Sequence, residues 1–257
     1  MKMAKQNTNS AATSYYGFCE DVFEKWLHDS SFLSGFRKDF DVDYLPEPYL
    51  AYGEGQKKLF VLNNNPGHVL ENQVQARSTI QSQYPGRTYA EVARGMAGYY
   101  SSDEFEKSEP NAARRNRKIF QFAARMGYDR IEVVETFFLH SASFDKKRFL
   151  KVYRDREIVS EYIRHLKAYL EDKDVLVISS ASCPITKDRL SEWVGFQCDI
   201  IGMDIKKAKF TPMKRNEAGN VSTAILCHDR KFMTLMCGYN NMPNISEDTF
   251  ASLSGRN

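Results

Sequence analysis

A chain of 257 residues, 42% hydrophobic and 27% charged, is long enough for one large domain or two small ones and for a sizeable core, with no metal or disulfide staple required. No apolar run approaches the about 20 residues that span a bilayer, and the opening MKMAKQNTNSAATS lacks a signal-peptide apolar region, so no membrane partner is expected. The five cysteines, Cys19, Cys183, Cys198, Cys227 and Cys237, are scattered and never spaced C-x-x-C, which excludes a zinc knuckle or iron–sulfur cluster and points to a reducing, cytoplasmic compartment.

Residues 1–12 are expected to form a flexible tail, and residues 13–257 a single domain. The stretch SYYGFCEDVFEKWLHDSSFLSGF places Tyr16, Cys19, Phe23, Trp26 and Leu27 at helical spacing, so the domain opens with an amphipathic helix. A Pro- and Gly-punctuated approach, DVDYLPEPYLAYGEG, leads to a first strand at residues 59–62, whose four apolar residues suit a strand buried on both faces. RTYAEVARGMAGYY predicts a short helix and SSDEFEKSEP an exposed acidic loop. SEPNAARRNRKIFQFAARMG reads as a helix with Ser108 as N-cap, Pro110 in the first turn and Gly127 as C-cap.

A second strand follows at residues 131–138. Phe149, Val152, Val159, Ile163, Leu166 and Leu170 then trace one face of a single helix over about 145–171. DVLVISS is a third buried strand, PITKDRLSEWVG a helix with Pro184 at its start, and VSTAILCHDRKFMTLMCG a hairpin turning at Asp229-Arg230, without the usual Gly. The alternation of strands and helices predicts an α/β, three-layer αβα sandwich around a mainly parallel sheet.

Net charge is only +3, but it is unevenly spread: from residue 111 to 130 six Arg/Lys face one Asp, from 145 to 156 six face two acids, and from 206 to 215 five face none. Such runs are either solvated helix faces or a groove for a polyanion, and Arg114, Arg115 and Arg117 are the candidates for phosphate contact.

The segment LFVLNNNPGHVLENQ ends the first strand in Asn63, Asn64, Asn65, Pro66, Gly67 and His68. Asn and Gly tolerate left-handed backbone and Pro fixes φ, so this can be a plain turn. It also falls at the carboxyl end of a strand, where α/β sheets hold ligands. Pro66 biases Asn65 to an extended conformation that can aim its amide into a cleft, Gly67 admits a close ligand, and His68 can donate to a base or phosphate. His140 ends an otherwise buried strand in VVETFFLHSAS, and Phe138 beside it can stack a flipped base or simply fill core. No Walker motif or Gly-rich dinucleotide loop follows a strand, so no cofactor is expected, and no metal.

Leu45-Pro46-Glu47-Pro48-Tyr49-Leu50, followed by a strand that ends in Asn65-Pro66-Gly67, resembles the mismatch-specific and single-strand-selective branches of the uracil-DNA glycosylase superfamily. The resemblance puts Asn65 on the water-positioning asparagine and Asn63 on the glycine that opens the family pattern. The family's second motif would correspond to GYNNMPN, offering Tyr239, Asn240, Asn241 and Pro243 but no histidine. What the resemblance implies is a uracil-DNA glycosylase-like fold and a hydrolase that releases a deaminated base from DNA. In it Asn65 holds the water, His140 assists, and Asn63, Asn64, Pro66, Gly67, His68, Phe138, Tyr239, Asn240 and Asn241 line the base site. The alternative is a protein of the same fold that binds a nucleobase, nucleotide or nucleic acid without cleaving it.

Overall fold

In a computed structural model, which describes residues 4–67, 77–238 and 241–255, the chain is α/β, with helices accompanying a seven-stranded sheet. It divides into two compact units, each assembled from three separate segments. The first comprises Met1–Leu50, Asn63–Met96 and Val134–Asp172; the second comprises Ala51–Leu62, Ala97–Val133 and Lys173–Asn257. His68, Tyr239 and Asn240 lie outside the described residues. Among the described residues no helix is long and apolar enough to cross a membrane.

In the first unit, α1 (Ala4–His28) reaches back into the stretch expected as a tail. The reason is local: residues 4–16 contain neither Gly nor Pro, so nothing stops the helix propagating backwards from its packed half. Tyr15, Cys19, Val22, Phe23 and Trp26 are buried along its face, one register ahead of the Tyr16 expected from spacing. This face meets α7 (Glu157–Leu170), where the Tyr15 ring stacks on Tyr169 with centroids 4.7 Å apart. The Trp26 indole donates to the Val42 carbonyl at 2.9 Å. Side chains of α2 (Arg77–Gln83) satisfy orphan carbonyls at the end of α1, Arg77 donating to Trp26 and Gln81 to Leu27.

The helix expected over 145–171 is broken. A short α6 (Lys146–Arg148), capped by the Asp145 carboxylate, passes into a π-helical turn at Phe149–Tyr153 before α7 begins. The wider turn brings Phe149, Leu150 and Tyr153 inward, Phe149 and Tyr153 against the aromatic cluster of Phe36, Phe40 and Phe137, and leaves Val152 44% exposed although apolar spacing had placed it on the buried face. Aromatic packing overrode helical periodicity here.

The sheet runs β1-β3-β2-β4-β7-β6-β5, with β1 at Tyr49–Tyr52, β2 at Lys58–Asn63, β3 at Arg130–Glu135, β4 at Val175–Ala181, β5 at Lys209–Arg215, β6 at Val221–His228 and β7 at Lys231–Cys237. It is mixed: β2–β4 and β4–β7 pair in parallel, while β7–β6 and β6–β5 are antiparallel. The short β1 and the largely polar β5 gave no apolar run to betray them. Beside α3 (Tyr89–Tyr100), the expected acidic loop is a helix, α4 (Asp103–Ser108), because Ser102 accepts from the Phe105 N–H as its N-cap and Phe105 is buried. Ser108 therefore ends α4, and Glu109 stands at the head of α5 (Pro110–Arg125), which lays Ile119, Phe122 and Ala123 on the core. The helix expected from Pro184 begins instead at α8 (Glu192–Ile201), capped by Ser191.

Gly53 and Gly55 are structural: with φ of +75, a Cβ at Gly53 would lie 2.8 Å from the Asp129 carbonyl. Cys183 and Cys237 form a disulfide with Cα atoms 5.4 Å apart. Parallel pairing sets Ala181 opposite Cys237 and so carries Cys183 alongside it. Their separation of 54 residues hides this in the sequence, and the pairing removes any inference of a reducing compartment from scattered cysteines.

The β6–β7 hairpin turns where expected, and both turn residues, Asp229 (φ 46) and Arg230 (φ 59), occupy the left-handed region. A two-residue loop with both φ positive favours Asn-Gly. The double substitution Asp229→Asn/Arg230→Gly should therefore raise stability by roughly 1 kcal/mol, the lost contact of the exposed Arg230 guanidinium with the largely buried Asp174, which keeps the Tyr128 hydroxyl as a donor, subtracting little. Thermal denaturation checks this, and a lowered midpoint would contradict the strain assigned to the turn.

Candidate functional site

The site is built within the first unit from three strands of chain that touch through their backbones. Residues 135–141, which follow β3, lie between the Pro-Glu-Pro segment and the asparagine loop. On one side, Glu47 N–H donates to Phe138 at 2.8 Å, Glu135 N–H to Pro48 at 3.0 Å, and Asp41 N–H to His140 at 2.9 Å. On the other, Thr136, Phe137 and Ser141 N–H groups donate to the carbonyls of Asn63, Asn64 and Pro66. The asparagine-loop edge, where Pro66 has no N–H, accepts in all three of its bonds, whereas the Pro-Glu-Pro side donates twice and accepts once.

The side chains then fix the loop. Asn63 Nδ2 donates to Glu135 Oε1 at 3.0 Å, both residues being buried. Asn65 Nδ2 faces three carbonyls, Pro66 at 2.6 Å, Ser141 at 3.3 Å and Leu139 at 3.4 Å, which sets the orientation of the amide and leaves its Oδ1 for the accepting role. Tyr162, fully buried, donates its hydroxyl to the Glu135 carbonyl at 2.6 Å.

His140 is the hub. Its Nδ1 lies 3.0 Å from the Gly67 carbonyl, and its Nε2 lies 3.2 Å from Glu47 Oε1, an ion-pair contact more than an aligned hydrogen bond. A carbonyl and a carboxylate are both acceptors, so the form of the ring that suits both neighbours is the doubly protonated imidazolium. Burial by itself opposes that charge. The Glu47 carboxylate, the Gly67 carbonyl and, more remotely, Glu135 outweigh it and hold the His140 pKa above the usual imidazole value.

The other candidates fall in several places. Asn64 and Pro66 are buried and held through their carbonyls, while Gly67 is exposed. Phe138 is 0% exposed, its ring edge-on to Tyr162 and packed against Phe137, so it is core rather than a platform for a base. His140, expected to assist catalysis, is 4% exposed and acts on the loop. Asn241 belongs to the second unit, where its Oδ1 accepts from the Met242 N–H. Arg114, Arg115 and Arg117 lie on α5, also in the second unit; Arg114 is exposed, Arg115 half-buried, and Arg117 is ion-paired to Glu106. Among the described residues no group of three or more His, Cys, Asp or Glu side chains is arranged to hold a metal ion. Sequence reasoning missed Glu47 as a functional residue, although a carboxylate between two prolines, whose backbone cannot regularise into a helix, was a visible signal.

Comparison with family models, with curated proteins and with solved structures returned no match for this chain. The reading of the site therefore rests on its geometry.

Because the folded-state pKa of His140 is raised, the stability it contributes is complete below the free-imidazole value and is lost as pH rises from about 6.5 through the raised value. Glu47→Gln strands a buried imidazolium, and should destabilise the protein by ~3–5 kcal/mol at pH 6 but by less at pH 9, further along the loss of the ring's proton. Urea denaturation at the two pH values reads the difference; equal losses would mean that the pair carries no charge.

Proposed function

We propose that the chain is a divergent hydrolase of N-glycosidic bonds that releases a base from DNA, with the water held by Asn65. The proposal carries with it the three-layer fold of the glycosylases that the motifs resemble. The observation that supports it is the Asn65 amide: its donor end is committed to three backbone carbonyls, so the end that can accept from water is Oδ1. Breaking a base–sugar bond passes through an oxocarbenium-like sugar, and such a reaction gains from a water and a field fixed in advance. An amide is too weak a base to remove the proton early, so the water attacks late, after the base has largely departed, and turnover is slow. In this reading His140 positions the loop through Gly67.

One observation favours binding without cleavage. Both buried carboxylates beside the loop are engaged, Glu47 with His140 and Glu135 with Asn63, which leaves an amide where a hydrolase would profit from a carboxylate. An amide held in a fixed orientation, as that of Asn65 is, can read the edge of a base.

The two readings part at Asn65. With a uracil-containing single strand as substrate, Asn65→Ala should lower kcat at least ~100-fold with KM nearly unchanged, and Asn65→Asp should raise kcat, since a carboxylate polarises the water and stabilises the cationic sugar. If the wild-type protein releases no uracil, hypoxanthine or mismatched base, while Asn65→Ala loses affinity for a free base or nucleotide, the binding reading replaces the enzyme.

A further inference from the structure

The second unit contains a cavity of its own. Its volume of about 510 Å³ falls within the range of small-ligand sites. One wall is α5, and the other is the segment around Met242–Ile245 together with Phe250 of α9 (Glu247–Ser254). Pro243 and Asn244, in the stretch whose motif pointed to a site, thus line a cavity alongside the first basic run of the sequence.

The floor is apolar and closed: Phe122 and Met242 are each 1% exposed, and the Phe122 and Phe250 rings lie 5.7 Å apart. The rim is cationic. Arg125 stacks its guanidinium 4.0 Å from the centre of the Phe250 ring and is ion-paired to Glu247. The Lys118 ammonium donates to the Met242 carbonyl at 3.2 Å, a neutral acceptor that leaves its charge uncancelled. Among the described residues no carboxylate lines the cavity itself, and Glu247 is the acid paired with Arg125. Gln121 and Asn244 add exposed amides, each able to donate and accept.

A flat ring can extend the Arg125–Phe250 stack from the exposed side of the guanidinium, an anion can meet Lys118 and Arg125, and amides can read the edge of a heterocycle. We propose that this cavity is a binding site for a nucleoside monophosphate, separate from the Asn65 site and not dependent on the activity proposed there. An aromatic carboxylate shares the ring-plus-anion chemistry but offers no edge for Gln121 and Asn244.

Isothermal titration of the full-length protein with adenosine 5′-monophosphate, adenosine, inorganic phosphate and benzoate tests this. The monophosphate should bind at least ~10-fold more tightly than any of the other three, because ring and anion are engaged together. Arg125→Ala at the exposed rim and Lys118→Gln at the half-buried one should each weaken it ~10-fold or more, whereas Asn65→Ala should leave it unchanged. Absence of binding at millimolar monophosphate, equal or tighter binding of benzoate or phosphate, or affinity indifferent to both cation substitutions would overturn the proposal. Loss of binding in Asn65→Ala with the cation variants intact would overturn it too, by assigning the nucleotide to the first unit. Failure of base release at Asn65 leaves every one of these readings as it stands.

Discussion

The asparagine loop depends on one buried contact, the pairing of Glu47 with His140, each 4% exposed. Taking a carboxylate and an imidazolium out of water costs several kcal/mol per ion, and such a pair survives only when further polar contacts complete its geometry. Here they do: the second ring nitrogen of His140 takes the Gly67 carbonyl, the His140 carbonyl takes the Asp41 N–H, and the Glu47 N–H takes the Phe138 carbonyl. Three stretches far apart in sequence are thereby tied to one ring. Gly67 is fixed two residues after Asn65, so the same contact that neutralises a buried charge restricts the direction in which the Asn65 amide can face.

Low local dielectric strengthens this network, and the aromatic packing of the first unit supplies it. Tyr15, Tyr49, Tyr89 and Tyr162 surround the carbonyls of Pro48, Tyr49 and Glu135, and several reach them with their hydroxyls. Burial pushes the Tyr89 and Tyr162 phenols well above their usual range, which favours the protonated, donating form of both. A tyrosine serves such a place better than a phenylalanine, because a buried carbonyl left without a donor is more expensive than the hydroxyl that satisfies it.

The second unit uses a different economy. Its β2 and β4 strands are buried along their apolar runs, β7 is buried from Lys231 to Leu235 around the polar Thr234, and α5 meets α9 through Phe122 and Phe250. The cavity beside α5 arises there because helix and returning chain meet over two phenylalanines without closing the gap between Lys118 and Arg125. Parallel pairing also decides the disulfide: once Ala181 stands opposite Cys237, Cys183 is in reach.

The sequence by itself determined what depends on neighbours within a few residues. The apolar runs at Leu59–Leu62 and Val175–Ile178 marked two central strands, 3.6-residue spacing marked α1 and α7, Pro110 and Gly127 bracketed α5, and Asp229-Arg230 marked the hairpin, because burial and termination of a regular element leave local traces. It also singled out Asn63 to Gly67, since such a loop after an apolar strand is local information. Tertiary structure alone decided the partners: Glu47 for His140, Glu135 for Asn63, Cys237 for Cys183, and the π-helical turn that sends Val152 outward. Each of these is a contact between residues separated by dozens of positions, or a local shape imposed by such contacts. Charge and packing act through space, and residue spacing along one chain does not encode which distant groups the fold will bring within 3–4 Å of one another.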